Sequence, residues 1–378
     1  MEASTQVERS AHDLLIELVR IDSVNPGLVP GASGESRIVA RLDERLRNSG
    51  FDTSVLVDSE HPDRPSLVAI GPGTKEAPTI VLNGHVDTVG VEGMANPFEP
   101  RIEADKLFAR GAADMKAGIA AMVAAAEATV AAGSPVRPVL ALVADEEDAS
   151  IGSAQAIATL ADTHLTADLC LIAEPTDLAI CRSLRGFGVV KVQFPGRAAH
   201  SSQPENGINA VTHLGGLLHR VEARATELRK HGGDLMATSV AGGQSTFVIP
   251  DSAECIVEMR TPPGQAGAQA LDEVTALLDT DWGARAQLLL SRDGWQLDGT
   301  GPAAEFAHTL GTELGTGPTF DAPYWMEAPM WQEFCPTLVC GPSGGGLHAV
   351  DEWVDLQQVR AFANSLASVL TNWHSGSQ

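Results

Sequence analysis

Two short apolar runs on either side of an alanine-rich segment constrain the fold of this 378-residue chain more than any other feature. The runs lie at residues 79–82 and 139–143, and each is followed closely by polar residues. Apolar runs of this length are typical of strands buried on both faces, and the segment between them, 117–132, suits a buried helix. The pattern predicts an α/β fold. Ligands bind at the carboxyl ends of such strands, where His85 and the acidic run 145–147 would lie.

The remaining patterns divide the chain into two kinds of unit. Amphipathic periodicity predicts helices at 7–20 and 36–47, before the first apolar run. Later segments predict strands at 188–194, about 237–248, 253–260, 286–290 and 337–340, and helices at 207–228, 265–278, 303–314 and 356–370. Length favours two domains. Because the middle segments form a self-contained α+β set, we predict a catalytic domain made of 1–184 and 295–378, with an inserted domain at 185–294.

Composition excludes several classes of partner. Lys and Arg number 25 against 49 Asp and Glu, which gives a net charge of −24, and no basic run is present. Nucleic-acid binding requires clustered positive charge, so we expect no nucleic-acid partner. The longest apolar stretch contains Glu127 and is shorter than the roughly 20 residues that span a bilayer, so we expect no membrane span. The five cysteines form an odd set without a CxxC pair, and residues 1–10 lack a secretory pattern; we expect reduced thiols and a cytoplasmic location.

The clearest local motif is Asn83-Gly84-His85-Val86-Asp87, directly after the first apolar run. Side chains at positions i and i+2 of an extended chain point the same way. Asp87 could therefore hold the His85 ring in one tautomer and leave its other nitrogen free for a metal ion. A pair of surface residues fits the same motif, so the motif alone leaves both interpretations open.

Four further segments contain residue types that bind metals, each at a predicted strand end, helix start or glycine loop. They contain Asp114, the pair Glu146 and Glu147, Glu174, and His348 after the glycines at 344–346. Adjacent carboxylates repel one another when buried, so this pair suits a site in which one binds a cation and the other transfers protons. A solvated acidic turn is the alternative, and a single histidine is most often structural. The joint occurrence of all these residues favours a metal site.

Together these motifs resemble those of the M20 metallopeptidase and deacylase family, which includes acetylornithine deacetylase, succinyl-diaminopimelate desuccinylase, aminoacylase and glutamate carboxypeptidase. The resemblance covers essentially the whole chain. It implies a zinc-peptidase-like α/β catalytic domain with an inserted α+β lid or dimerisation domain. It also implies two Zn²⁺ ions per chain, with Co²⁺ or Mn²⁺ as alternatives. The implied ligands are His85 and Glu174 for one metal, Glu147 and His348 for the other, and Asp114 bridging both. Zinc accepts this mixture of nitrogen and oxygen ligands.

The same resemblance implies the catalytic roles. Glu146 is the implied general base, which takes a proton from a water molecule shared by the metals and passes it to the leaving amine. Asp87 is implied to orient His85. Two cations lower the pKa of the water and polarise the scissile carbonyl, while an unligated carboxylate beside them relays the proton.

The inserted domain contains the residues that the resemblance connects with the substrate. His200 is the implied oxyanion donor; taken alone, it is typical of a polar surface residue. In relatives that dimerise through the lid this histidine reaches the active site of the other subunit, which implies a homodimer. Asn209 lies in a segment similar to the family's lid, and Arg260 matches the arginine that binds a substrate carboxylate. A bidentate guanidinium suits that task.

The sequence departs from the family pattern at three points. Phe247 occupies the position of a usual Asn, Ser343 that of a usual Gly, and Met326 that of a Thr in acetylornithine deacetylases. Ser343 and the following Gly344 are implied substrate contacts. If the three changed residues face the pocket, they make it bulkier and more apolar; they could equally serve packing.

Two rival hypotheses are weaker. Gly341-Pro342-Ser343-Gly344-Gly345 fits the serine-hydrolase pattern G-x-S-x-G, but the required helix does not follow immediately. A non-catalytic binding protein on this scaffold predicts the loss of a metal ligand or of the base, and none is lost. We therefore predict metal-dependent hydrolysis of the amide bond in an N-acyl amino acid, as in acetylornithine deacetylases. A dipeptidase or carboxypeptidase of the same family is the alternative.

Overall fold

The computed structural model describes residues 2–74, 76–315 and 319–374. The chain divides into two compact units. Unit 1 consists of Met1–Cys181, Leu297–Phe320 and Glu327–Gln378, and unit 2 of Arg182–Gln296 and Asp321–Met326. Each unit has its own hydrophobic core.

Helices and strands are numbered in chain order. The α-helices are α1 (Glu2–Val19), α2 (Ser36–Asn48), α3 (Ala117–Ala131), α4 (Ile151–Asp162), α5 (Ala210–Arg229), α6 (Gln269–Ala276), α7 (Pro302–Glu313), α8 (Ala328–Gln332) and α9 (Leu356–Asn372). The strands are β1 (Asp52–Leu56), β2 (Ser66–Ile70), β3 (Thr79–His85), β4 (Arg101–Glu103), β5 (Lys106–Phe108), β6 (Arg137–Val143), β7 (Leu169–Ile172), β8 (Ile180–Leu184), β9 (Gly186–Pro195), β10 (Asp234–Gly242), β11 (Ser252–Thr261), β12 (Arg285–Arg292), β13 (Trp295–Gln296), β14 (Thr319–Ala322), β15 (Thr337–Val339), β16 (Gly344–Gly345) and β17 (Trp353–Asp355).

Unit 1 is built around a mixed sheet with the strand order β1-β2-β6-β3-β7-β15. Strands β6, β3, β7 and β15 are parallel, whereas β1 and β2 are antiparallel. His85 at the end of β3 pairs with Val143 at the end of β6, so the two strands end side by side. Every residue of β3 is buried, as expected for a parallel strand covered on both faces. A second, small sheet of unit 1 has the order β16-β17-β5-β4.

Helix α3 explains how the central strands are covered. It is apolar on nearly every side, which is typical of a fully buried helix. It packs against α1, α9, β3 and β6. A side chain at Gly118 would collide with the backbone and Cβ of Ala173, so this glycine permits the first turn of α3 to lie directly against the segment that follows β7. The start of α3 is thereby fixed next to Glu174.

Unit 2 contains an antiparallel sheet with the order β10-β11-β9-β12, on which α5 and α6 pack. Side chains along β11 alternate between more and less buried positions, the pattern of a strand with one face in the core. The core of unit 2 includes Val190, Leu217, Val257 and Val274.

The structure confirms the α/β fold class predicted from the sequence. One predicted element is wrong in its length: β10 ends at Gly242 and does not continue to residue 248. Gly243 has a φ of +79°, a left-handed conformation that ends the extended run. The lid or dimerisation role of the inserted segment 185–294 stays a prediction. No helix in the described part of the chain is long and apolar enough to cross a membrane.

Candidate metal centre

Three adjacent parallel strands bring the predicted acidic and histidine residues to one edge of the unit 1 sheet. His85 ends β3, Glu146 and Glu147 follow β6, and Glu174 follows β7. Carboxyl ends of neighbouring parallel strands meet at the same edge. Two loops add the remaining residues, Asp114 from the segment before α3 and His348 from the turn between β16 and β17.

Asp114 is shared by two groups of potential ligands. In the first group, which we call the buried group, its Oδ1 lies 3.0 Å from Nε2 of His85, and that nitrogen lies 3.8 Å from Oε1 of Glu174. In the second, the exposed group, Oδ2 of Asp114 lies 3.3 Å from Nε2 of His348, and that nitrogen lies 3.2 Å from Oε2 of Glu147. The ligand atoms of each group lie within 4.8 Å of one another.

The two groups differ in their access to solvent. The His85 side chain is 1% exposed, whereas the His348 side chain is 54% exposed. His85 Nδ1 lies 3.1 Å from the main-chain oxygen of Asp87, so a proton on Nδ1 can be donated there while Nε2 faces Asp114. Such a contact fixes the tautomer of a ligand histidine.

Electrostatics in the cluster reflect buried negative charge. Hydrogen bonds with Asp114 and Glu147 raise the pKa of His348 from 6.5 to about 10. Burial raises the pKa of Glu174 to about 8. Although burial opposes it, hydrogen bonds with His348 and His85 hold the pKa of Asp114 well below its usual range. The field that favours charged histidines would equally stabilise a metal cation among these carboxylates.

The donor set fits a divalent metal ion. Each group combines one imidazole nitrogen with carboxylate oxygens, the mixture that zinc accepts. Three neighbouring carboxylates with little exposure to solvent would otherwise be costly, because charges removed from water need compensation. One shared carboxylate between two groups suits a pair of metals held close together.

Glu146 lies beside these groups but belongs to neither. Its carboxylate makes no hydrogen bond within the part of the chain that the structure describes. Burial raises its pKa well above the ordinary value, and the nearby carboxylates Glu174 and Glu327 add to the rise, while His85 opposes it. A raised pKa makes this carboxylate a stronger proton acceptor than an ordinary glutamate.

A buried polar network supports the turn that contains Glu146 and Glu147. Oδ1 and Oδ2 of Asp87 accept hydrogen bonds from the backbone nitrogens of Glu146 (3.2 Å) and Glu147 (3.3 Å). Asn25 donates to Asp87 at 2.8 Å and to Asp145 at 3.0 Å. The Asp87 carboxylate therefore holds the acidic turn, and it also lies beside His85, whose Nδ1 is 3.5 Å from Oδ1 of Asp87 and 3.1 Å from its main-chain oxygen.

Arg64 continues this network on the far side of Asp145. Its Nη2 donates to Oδ1 of Asp145 at 2.6 Å, and its guanidinium also donates to the buried carboxylate of Glu35. Sequence analysis did not identify Asn25, Arg64 or Glu35. No local pattern singles them out, because Arg64 precedes Asp145 by 81 positions.

Two of the predicted substrate contacts in unit 2, His200 and Asn209, make side-chain hydrogen bonds to residues close to them in the chain. His200 Nδ1 lies 2.8 Å from the hydroxyl of Ser202. Asn209 is the N-cap of α5, where its side chain accepts hydrogen bonds from the backbone nitrogens of Val211 and Thr212. Their substrate roles stay predictions.

Arg260, the third predicted contact in unit 2, lies beside an acidic and an aromatic neighbour. Its Nε donates to Glu258 at 2.6 Å. Its guanidinium carbon lies 5.2 Å from the centre of the Phe187 ring. These contacts hold the guanidinium in place, and its binding of a substrate carboxylate stays a prediction.

Ser343 and Gly344 lie in unit 1, in the segment before His348. The backbone nitrogen of Ser343 donates to Gln358 at 2.9 Å, and Gly344 pairs with Val354 between β16 and β17. Because a strand and not a helix follows Ser343, the nucleophile elbow of a serine hydrolase is not formed. Substrate contact by these two residues stays a prediction.

Comparisons with known proteins identify relatives of the whole chain. A succinyl-diaminopimelate desuccinylase from Gluconacetobacter diazotrophicus is 27% identical, with 97% of this chain and 98% of the relative covered. An acetylornithine deacetylase from Proteus mirabilis is 26% identical, with 96% of each chain covered. A tripeptidase structure from Staphylococcus aureus superposes with a TM-score of 0.79 at 20% identity over 96% of this chain and 98% of that one, a likeness of fold. The model of peptidase family M20/M25/M40 matches residues 81–372. This chain is therefore a hydrolase that belongs to peptidase family M20/M25/M40.

Proposed function

We propose that this chain hydrolyses the amide bond of N-acyl amino acids at a dinuclear metal site. The observation that carries the proposal is the sharing of Asp114 between the buried and the exposed group, with Glu146 beside them and outside both. In this proposal His85 and Glu174 would hold one metal and Glu147 and His348 the other, with Asp114 available to both. Zinc is the proposed metal because it accepts this donor set.

The bound ions and Glu146 have different tasks in the proposed reaction. Bound divalent ions would polarise the scissile carbonyl and lower the pKa of water. Glu146 accepts a proton as the water oxygen forms its bond to the carbonyl carbon. It then gives that proton to the nitrogen as the carbon–nitrogen bond breaks, so the products are an amine and a carboxylic acid; the acid proton passes to the amine, which leaves as an ammonium ion beside a carboxylate. Its pKa, raised by burial, suits a group that must alternate between these states.

Substrate recognition in this proposal depends on unit 2 and on a second subunit. Arg260 binds the carboxylate of the amino acid, His200 stabilises the oxyanion, and Asn209, Ser343 and Gly344 contact the substrate. A homodimer through the inserted segment, in the cytoplasm, is part of the proposal. Its support is the resemblance described above and the names of the two curated relatives, both of which are amino-acid deacylases.

The names of these relatives also favour a second candidate, N-succinyl-diaminopimelate. We prefer a substrate with an uncharged acyl-amino acid portion because Phe247 replaces a polar residue of the family pattern. Dipeptides are the third substrate class to compare.

The test combines metal analysis with a substrate screen. We expect metal-loaded protein to contain two divalent ions per chain and to hydrolyse N-acetyl amino acids. Glu146→Gln should keep both ions and lose on the order of 100- to 10,000-fold in kcat, because it removes the proton acceptor alone. A Glu146→Gln variant with near-native kcat contradicts the assigned base. Inactivation by serine-directed reagents with indifference to EDTA would contradict the metal mechanism.

A further inference from the structure

A buried carboxylate outside both ligand groups holds the loop that contains Asp114. Glu352 is 1% exposed. Its Oε1 accepts hydrogen bonds from the backbone nitrogens of Ala113 (2.9 Å) and Asp114 (3.2 Å). Its Oε2 accepts from the backbone nitrogen of Gly111 (3.0 Å) and from Nη1 of Arg110 (2.7 Å). One carboxylate thus binds three backbone N–H groups of a single loop.

The loop conformation depends on this contact. Gly111 has a φ of +74°, which a residue with a side chain would adopt only with strain. Asp114 itself has a φ of −116° and a ψ of 96°, so its N–H lies outside the regular helix that begins at Ala117. Buried N–H groups without helical partners need another acceptor. Glu352 supplies it for Gly111, Ala113 and Asp114.

Glu352 also connects this loop with the segment that contains His348. The two residues are four positions apart, and Arg110, which pairs with Glu352, donates from Nη2 to the main-chain oxygen of Ala349 at 3.1 Å. Glu352 and Arg110 therefore contact the backbone of Asp114 and the residue next to His348. Asp114 and His348 are 234 positions apart in the chain, and both belong to the exposed group.

We infer that Glu352 is a positioning residue that sets the affinity of the metal site by holding the Asp114 loop against the His348 turn. The inference rests on the metal site of the proposed function. Glu352 belongs to neither ligand group, and in this inference it acts through Asp114 and His348. Partners of this kind fix ligand orientation, and their loss lowers metal affinity about 10- to 100-fold.

The two metals should respond unequally. Both ligands that the Glu352–Arg110 pair supports, Asp114 and His348, belong to the exposed group. In the buried group only Asp114 is supported in this way, because His85 ends β3 and Glu174 follows β7. We therefore expect the exposed group to lose more affinity than the buried group when Glu352 changes.

Glu352→Gln is the sharpest substitution because it keeps the shape of the side chain. In the native chain each carboxylate oxygen faces two donors. In the variant one of these positions becomes an NH₂ group, which faces donors and cannot accept their hydrogen bonds. Glu352→Asp keeps the charge on a shorter side chain and should recover part of the lost affinity.

Glu127→Gln is the matched control. Glu127 is a partly buried carboxylate of the same unit that binds Arg45 at 2.7 Å and Ser49 at 2.8 Å, and it contacts none of the proposed ligands. It should lose stability through its arginine pair and keep both metal affinities within twofold of native.

The experiment is a titration of chelator-treated, folded protein with Co²⁺, followed by visible absorption and calorimetry, without substrate. We expect Glu352→Gln to weaken one of the two binding steps 10- to 100-fold and the other less than tenfold, and to change the spectrum of the weakened site. In assays at saturating metal kcat should fall while KM stays within threefold.

The inference is overturned if folded Glu352→Gln binds both Co²⁺ ions with affinities within twofold of native. It is also overturned if Glu127→Gln loses as much metal affinity as Glu352→Gln. If Glu352→Gln does not fold, Glu352→Asp is judged by the same criterion. A wrong substrate class leaves this titration unaffected. A native chain that binds no divalent metal would overturn the proposed function and, with it, this inference.

Discussion

The residues predicted to bind metal and those predicted to bind substrate in unit 2 lie in contrasting surroundings. In unit 1, carboxylates and histidines from three strand ends and two loops converge into two groups, and the ligand atoms of each group lie within 4.8 Å of one another. In unit 2, His200, Asn209 and Arg260 bond to residues two or three positions away in the chain. The first set is brought together by long-range packing, whereas the side chains of the second make hydrogen bonds within their own segments.

This difference separates two tasks. Grouping like charges in a protein interior is costly, so the metal site can persist only because the core of unit 1 and its supporting network hold it. The residues of unit 2 carry no such constraint. We therefore expect substitutions in unit 1 to change metal affinity and stability, and substitutions in unit 2 to change turnover and selectivity at constant metal content.

We expect the largest change in kcat at constant metal content from substitution of His200. His200→Ala should lower kcat on the order of 100- to 1000-fold with both metals retained, because one oxyanion donor is lost. The measurement is kcat together with metal content by atomic spectroscopy. His231→Ala, at another exposed histidine of unit 2, is the control and should keep native kcat. An unchanged kcat in His200→Ala places this residue outside the reaction.

The second prediction contrasts the two histidines of the metal groups. If a structural zinc site is worth about 10 to 16 kcal/mol over four ligands, one ligand is worth roughly 3 kcal/mol, or more than about 100-fold in affinity. His85→Ala and His348→Ala should each lose that much at their own group. Only His85→Ala should also destabilise the metal-free chain, by about 3 to 5 kcal/mol, because it leaves Asp114 and Glu174 buried without their cation.

Urea unfolding of the metal-free proteins measures the second half of this prediction. His348 is half exposed, so solvent screens its ion pairs and the loss there should be smaller than the loss at His85. Equal destabilisation by both substitutions would show that the buried and exposed groups do not differ as their solvent access indicates.

The sequence predicts features that depend on neighbouring residues and does not predict contacts between distant segments. The sequence could predict that His85, the 145–147 run and Glu174 lie at strand ends, because the apolar residues of each strand define it locally. Glu352 and Arg64 were missed as functional residues because their partners lie far away: Glu352 is 241 positions from Gly111. Local periodicity contains no information about such pairs. The length of β10 was overestimated because apolar residues continue beyond Gly243, whose positive φ ends the strand.

The third prediction concerns the pH dependence of metal affinity in the exposed group, which should change about tenfold per pH unit. In the metal-free chain the pKa of His348 is raised to about 10 by hydrogen bonds with Asp114 and Glu147, so at neutral pH this histidine holds a proton that a metal must displace. Apparent affinity of the exposed group should therefore rise by up to about tenfold per pH unit for each displaced proton between pH 6 and 9, and level off near 10. Calorimetry in buffers of different ionisation enthalpy counts the released protons. An affinity independent of pH would contradict the protonated state of His348.

The smallest expected effect lies in unit 2 and concerns selectivity. Phe247 is 68% exposed in the chain alone, so its apolar surface is available to a ligand, and full burial would contribute roughly 1.5 to 3 kcal/mol. A ligand that covers only part of the ring gains less, about tenfold or below in kcat/KM. We expect N-acetyl derivatives of apolar amino acids to be preferred over N-succinyl-diaminopimelate, and Phe247→Asn to narrow that preference at unchanged metal content. Comparing kcat/KM for these substrates and N-acetylornithine on one preparation tests it. If kcat/KM for the succinyl substrate is higher by about tenfold or more, the apolar-contact argument is wrong. The proposed division between metal binding in unit 1 and selectivity in unit 2 still holds in that case, provided that Phe247→Asn retains both metals.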